Sequence, residues 1–454
     1  MSSRVEVRQI SEAGAGCFSA GSEAACACSD SQVAGQMGSV GSISQTLSPK
    51  QATRLAVLSL FSDPVPEHCS RLVELSAKEW GGLLRWLDLS GLALYFVDRI
   101  VELKLCDLLP TAVFTRLHLN LIDNSERTQA MLLESIGIQK QFQRAGISYA
   151  VLKGISLWPD AVPKPELRLQ FDLDYLVAEH DMGRARAILE QSSYRMYAVS
   201  GRSWEFKKNE RPGVSLKDIY KHFDSYGVEL HSSAGGRGEI LDRVHWRDVN
   251  GMTMPVLDPI DLFLGHGLHT FKNVCSEYAR ASHFLEFRRH VLRYQKDSNF
   301  WHELRQLAEG DRRACLGLGL VVYLISHVMG ETAPEALACW TVDRLPQGLR
   351  LWVHTYGHRV MLGSYPGTKL YLLLQQELEK CGIAGKRSPR EILVPGQLPP
   401  PVIRPFANET LSTRVRRYAM HLGTILERTR FHVIEGLRYA IEARRWGRLH
   451  GWPR

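Results

Sequence analysis

The chain lacks most of the features that mark a secreted or membrane-spanning protein. Its nine cysteines are an odd number, scattered over 454 residues without a repeated spacing. That excludes a disulfide framework and points to a reducing compartment, so a cytoplasmic location is expected. Cys26 and Cys28 have no neighbouring Cys or His pair, which argues against zinc there. The amino terminus has no basic start followed by an apolar core, as a secretory signal requires. Long apolar runs are also scarce. The longest uncharged stretch, Ala314 to Gly330, includes Gly317, Gly319, Ser326 and His327 and falls short of the about 20 apolar residues of a spanning helix, so a buried core helix is expected. Large apolar groups are few in the Ser-, Gly- and Ala-rich residues 1–50, which are expected to form a disordered leader.

What is present suits a soluble chain with more than one core. Hydrophobic residues make up 44% and charged residues 23%, and the length predicts two or three domains. A net charge of +8 and a pI near 9.0 suit an anionic partner, whether nucleotide, nucleic acid or acidic membrane surface. From Gln51 to about Gly137 apolar residues recur at helical spacing, as in Leu92 with Phe96, Val97 and Ile100, predicting a helical amino-terminal region over 51–137. Residues 138–258 mix the two periods. Helix is expected to Ala145, strands near Ile147, over 194–199 and near Ile219 and Val228, and a helix over Met182–Gln191. A small mixed sheet covered by helices, of the α/β (α+β) class, fits that order. The pattern from Pro259 to 390 is helical again, and the prolines 395, 399, 400, 401 and 405 mark a stiff linker over 391–410.

The segment from Tyr149 to Val177 carries the most chemistry. A short apolar strand ends at Lys153 and Gly154, where glycine lets a backbone approach a ligand closely, and Ser156 sits where a helix can begin. After a Pro-punctuated loop, the run from Phe171 to Val177 alternates, so Asp172 and Asp174 share one strand face and Leu173 and Tyr175 the other. Two acids pointing the same way repel unless a cation sits between them. Lys153 and Arg168 can offset phosphate charge, or can be ordinary surface or ion-paired side chains. His222 and His231 can ligate a metal or carry protons, or simply be hydrogen-bonded near a strand end. His266 and His269 stand about one helical turn apart and can bind a metal or stack on a base, or form a packed pair.

This L-K-G turn, followed by a loop with an Arg and then D-x-D-x-L-V, resembles the uncharacterised nucleotidyltransferase-like proteins of the polymerase-beta nucleotidyltransferase superfamily. The resemblance covers roughly 134 to 291. It implies that the turn at Gly154 and Ser156 holds a nucleoside triphosphate, with Ile155 where the superfamily prefers a small residue. It implies that Asp172 and Asp174 hold two magnesium ions. Glu229, in Gly227-Val228-Glu229-Leu230-His231, matches the third carboxylate and can complete the metal site or act as a base. The implied activity is transfer of a nucleotidyl group to an acceptor that the residues do not identify, whether small molecule, protein or nucleic acid. The implied acceptor position is between the sheet and the helices after Pro259. A non-catalytic nucleotide- or partner-binding module on the same fold is the alternative.

The tail is separate. Ten arginines between 411 and 454 face three acids, Glu427, Glu435 and Glu442, for a net of +7. Tyr418, Met420, Leu422, Ile425, Leu426, Phe431, Ile434, Leu437, Tyr439 and Ile441 mark an apolar stripe compatible with a helix. Such a basic amphipathic helix can lie on an anionic surface or track a phosphate backbone, or dock on its own protein with a solvated basic face.

Overall fold

The computed structural model describes residues 47–208, 216, 218–222, 226–233, 239–249, 252–385, 387–396 and 410–449. The leader expected over 1–50 falls outside the described residues up to 46, and the linker expected over 391–410 falls outside them from 397 to 409.

Four helices come first, α1 (Pro49–Ser59), α2 (Ala77–Ser90), α3 (Ala93–Glu102) and α4 (Thr111–Arg144). The middle holds β1 (Tyr149–Leu152), β2 (Asp172–Ala178), α5 (Met182–Gln191), β3 (Arg195–Ser200), β4 (Ser203–Lys207), β5 (Gly227–Ser233), α6 (Glu239–Asp242), β6 (His245–Val249) and β7 (Met252–Val256). Helices follow: α7 (Pro259–Val274), α8 (Ala281–Arg293), α9 (Ser298–Ala308), α10 (Arg312–Met329), α11 (Glu335–Ala338), α12 (Gln347–Met361), α13 (Tyr371–Lys380), α14 (Pro389–Leu393) and α15 (Leu411–Leu449). The helical starts follow local chemistry. Ser48 and Ser76 form capping boxes with Gln51 and Glu79, and Asp258 accepts from the Ile260 amide at 2.9 Å with Pro259 at the first helical position.

The described strands form one mixed sheet in the order β3-β4-β5-β2-β1-β7-β6. β1 runs antiparallel to β2 and parallel to β7, and β2 runs parallel to β5. The sheet divides two cores, so the alternation of β2 decides which side chains go where. Leu173, Tyr175 and Val177 pack beneath the sheet with Phe142 of α4 and Leu189 of α5. Ala150 and Leu176 face the larger core, shared with α2, α3, α7, α8 and α10. Each fully buried Leu or Phe there contributes about 1.5–3 kcal/mol, so the polar groups left between the cores must be held by partners.

Three expectations are corrected. α4 runs through the boundary expected at 137, because Val113 and Leu117 in its first half join the larger core and Met131, Ile138 and Phe142 in its second half join the smaller one. Ile219 lies in a turn rather than a strand. Its burial and that of Tyr220 come from plugging the larger core, with the Tyr220 hydroxyl donating to Asp88 at 3.0 Å. The start of the expected linker, 391–393, closes α14. α10 is long and apolar enough by length and composition to cross a membrane, yet most of it is buried against α7 and α12.

Candidate functional site

The carboxylates come together through strand register. β2 pairs with β5 so that Asp174 lies opposite Glu229, and β1 pairs with β2 so that Leu152, just before Lys153, lies opposite Asp174. Opposed residues in neighbouring strands point the same way. Asp172, Asp174, Glu229 and His231 therefore share the face turned toward α7 and α8. The Lys153 Nζ lies 2.7 Å from Asp174 Oδ1 and 3.7 Å from Glu229 Oε2. His231 Nε2 lies 2.8 Å from the same Asp174 oxygen and 3.3 Å from Glu229 Oε2. Candidate ligand atoms of Asp174, Glu229 and His231 all fall within 4.8 Å of one another, which fits a single cation. One step further along the row, Glu205 on β4 lies opposite Glu229 and is paired to Lys207.

This density of negative charge sets the protonation states. Burial, then repulsion from Asp174 and Glu229, pushes the Asp172 carboxyl up to about 7. Burial works in the same direction on Asp174, but the Lys153 ammonium and the His231 hydrogen bond outweigh it and hold Asp174 below the usual carboxylate range. Burial lowers Lys153, and Asp174, Glu229 and Asp172 more than reverse that, keeping it charged. His231 is raised in the same way: burial and Lys153 pull it down, and its bonds to Asp174 and Glu229 prevail. Glu229 Oε2 is buried and held by ion-pair contacts to His231 and Lys153, neither of which is a well-aligned hydrogen bond. Three neighbouring carboxylates, Asp172, Asp174 and Glu229, are the donor set of a hard divalent cation that prefers oxygen, so these residues fit magnesium.

A cavity of about 140 Å³ opens beside Lys153 and His231, walled by α7 and α8. Its lining is chiefly apolar, with Leu152, Leu176, Leu257, Leu262 and Leu268, and its polar members include His266, His269 and His283. Burial lowers all three imidazoles, His269 to about 3, so they are neutral at physiological pH. His266 Nδ1 lies 3.2 Å from His290 Nδ1, and the His269 and His283 rings meet edge to face at 6.0 Å. These histidines pair across α7 and α8 instead of joining the carboxylates.

The remaining candidates are placed as follows. Arg168 is held by Glu286 of α8 at 3.1 Å, where the Tyr95 hydroxyl also donates at 2.9 Å, at the cavity wall. Gly154 has φ +32°, and a Cβ there would stand 1.8 Å from the Gln170 Oε1, so glycine is needed for close packing on the loop that precedes Asp172. Ser156 is fully buried in the 3₁₀ turn Gly154–Leu157, and its hydroxyl donates back to the Lys153 carbonyl at 2.8 Å. It shapes the turn and does not face the carboxylates. His222 lies apart, bonded to the Tyr226 hydroxyl at 3.0 Å.

Sequence reasoning missed several residues that build this site. Glu286, His283, His290 and Tyr95 arrive from helices remote in sequence. Arg127 of α4 is fully buried, donates to the carbonyls of Gln170 and Ile219, and stacks over Phe171 at 4.4 Å, fixing the backbone on which Asp172 stands. The signal available for it was a charged residue on an otherwise core-facing helical stripe, which must find carbonyl partners once buried.

Residues 76–330, more than half of the chain, match the family described as uncharacterised nucleotidyltransferase. The sheet and its row of acids thus sit within a recognised nucleotidyltransferase class. The chain belongs to that uncharacterised nucleotidyltransferase family. Among solved structures it is similar to an antigenic nucleotidyltransferase-like protein from Paracoccidioides brasiliensis, at 14% identity over 47% of this chain and 97% of that one, with a TM-score of 0.27. That likeness is too slight to bear on the present site. No curated protein matches the chain.

Proposed function

We propose that this chain moves a nucleotidyl group from a nucleoside triphosphate to an acceptor, with magnesium bound at Asp172, Asp174 and Glu229. The observation that carries the reading is the register that sets Asp174 beside Glu229, with Asp172 on the same face and Lys153 above them. Magnesium, one ion or two, supplies charge neutralisation on the phosphates and on the attacking and leaving oxygens when bound. Lys153 then turns from Asp174 toward the phosphates, and His231 keeps Asp174 ionised and oriented. Glu229 completes the ligand set or takes the acceptor's proton. The largely apolar cavity against α7 and α8 suits the acceptor, with Arg168 held at its wall to meet negative charge.

A non-catalytic binding module is the second reading, favoured by one contact. Lys153 at 2.7 Å from Asp174 is an internal cation that can neutralise the acids without metal. Pyrophosphate release from nucleoside triphosphate, offered magnesium and a cell-extract acceptor pool, separates the two. Wild type is expected to release pyrophosphate, and Asp174→Asn to be slower by about 100-fold or more, the cost of losing one preorganised electrostatic group. Wild-type protein that binds magnesium triphosphate and releases nothing supports the module instead.

A further inference from the structure

The carboxy-terminal helix leaves a row of its large apolar side chains uncovered. α15 runs from Leu411 to Leu449, and the face it lays on the body mixes buried polar groups, Arg417, Glu435 and Glu442, with Tyr439, Ala443 and the fully buried Trp446. Arg428 pairs with Glu277 at 2.7 Å, Glu435 accepts from the Lys369 amide at 3.3 Å, Glu442 from the Tyr356 hydroxyl at 3.3 Å, and the Trp446 indole donates to Glu377 at 3.1 Å. Positions 428, 435, 442 and 446 recur at seven, seven and four residues, which is one helical stripe. The opposite stripe is apolar and uncovered by any described residue. Tyr418, Leu422, Leu426, Val433, Leu437 and Ile441 are each between 55% and 63% exposed. From Tyr418 to Ile441 this stripe is about 35 Å long at 1.5 Å per residue. Six large apolar side chains in one row exceed the scattered singles of an ordinary surface.

Charge selects among occupants. Two of the three acids of α15, Glu435 and Glu442, are buried against the body, leaving Glu427 as its exposed acid. Arg430, Arg444 and Arg448 are exposed on the side of the helix that carries the apolar row. A second copy would bring this basic face against itself. RNA would satisfy the arginines and leave the leucines in water. An apolar bed beneath a negative surface satisfies both, and it is what the headgroup boundary of an acidic bilayer offers.

We infer that α15 is a membrane-surface helix that seats this protein on acidic lipid, with Leu422, Leu426 and Leu437 in the acyl boundary and Arg430, Arg444 and Arg448 at the headgroups. The polar contacts to Glu277, Glu377, Tyr356 and Lys369 then join the lipid-bound helix to the body. This inference is independent of the nucleotidyl-transfer reading.

The test is co-sedimentation of the full chain with phosphatidylcholine vesicles, with and without phosphatidylglycerol. Binding is expected only to the acidic vesicles, and weaker at raised salt, because surface charge is screened within about 10 Å at roughly 0.1 M. Arg430→Gln/Arg444→Gln/Arg448→Gln is expected to weaken it by about 100-fold, at about fivefold per arginine. Leu422→Gln/Leu426→Gln/Leu437→Gln should abolish it while leaving the melting temperature in place, since these side chains are exposed. Failure of wild type to sediment with acidic vesicles overturns the proposal. So does RNA binding that outcompetes vesicles and survives the leucine changes, or a stable dimer in ultracentrifugation that the leucine changes dissolve. Should the leucine variant misfold, the arginine variant still decides: unchanged sedimentation contradicts the headgroup role.

Discussion

Asp172 is the residue whose titration reports most about the site. Its carboxyl, pushed up to about 7 from an ordinary 3.8 by burial and then by Asp174 and Glu229, holds a proton in the folded chain over a range where the unfolded chain has lost it. Its contribution to stability is therefore complete below about pH 4 and is lost as pH rises through about 7. Thermal melts of the metal-free protein are expected to show this decline, and Asp172→Asn should flatten it. A divalent cation displaces the proton, so magnesium should raise the melting temperature more at pH 8 than at pH 6. Equal magnesium effects at the two values would show that Asp172 stays out of the cation's reach. The shared face of Asp172 and Asp174 was legible because strand alternation is a two-residue rule. The pairing of Asp174 with Lys153 and His231 was not, since it depends on which strands become neighbours.

At the scale of elements, the turn after β1 sets the geometry. Lys153 at φ 49° and Gly154 at φ 32° send the chain from the strand into a tight 3₁₀ turn, and Gly154 packs directly on Gln170. Gly154→Ala is expected to destabilise the fold by about 1–3 kcal/mol through backbone strain and this clash. Adding Gln170→Ala should recover the clash but not the strain, as denaturant midpoints will show. Full recovery would mean that the backbone is relaxed there. Elements with an unbroken period, such as α5, β2 and β5, could be read from sequence. β7 was hidden by Pro255, which demotes a strand in any local reading, although in the fold the strand pairs with both β1 and β6. Ile219 and Tyr220 gave a false strand because burial alone, without alternation, carries no strand signal.

For the whole molecule, the sheet is a wall between two cores, and the acidic row lies where the wall meets α7 and α8. The class of fold was legible because helix and strand periods alternate along the middle of the chain. The cavity was not, because its walls come from residues 152 to 286 and its polar anchor from Tyr95. One titration calorimetry experiment addresses the central claim, that Asp172, Asp174 and Glu229 hold a divalent cation against a triphosphate. A non-hydrolysable nucleoside triphosphate is titrated into wild type and Asp174→Asn, each with and without magnesium. Binding by wild type that requires magnesium, and its loss in the variant with an unchanged melting curve, is the predicted result. Equal heats from both proteins, or binding indifferent to magnesium, would contradict it.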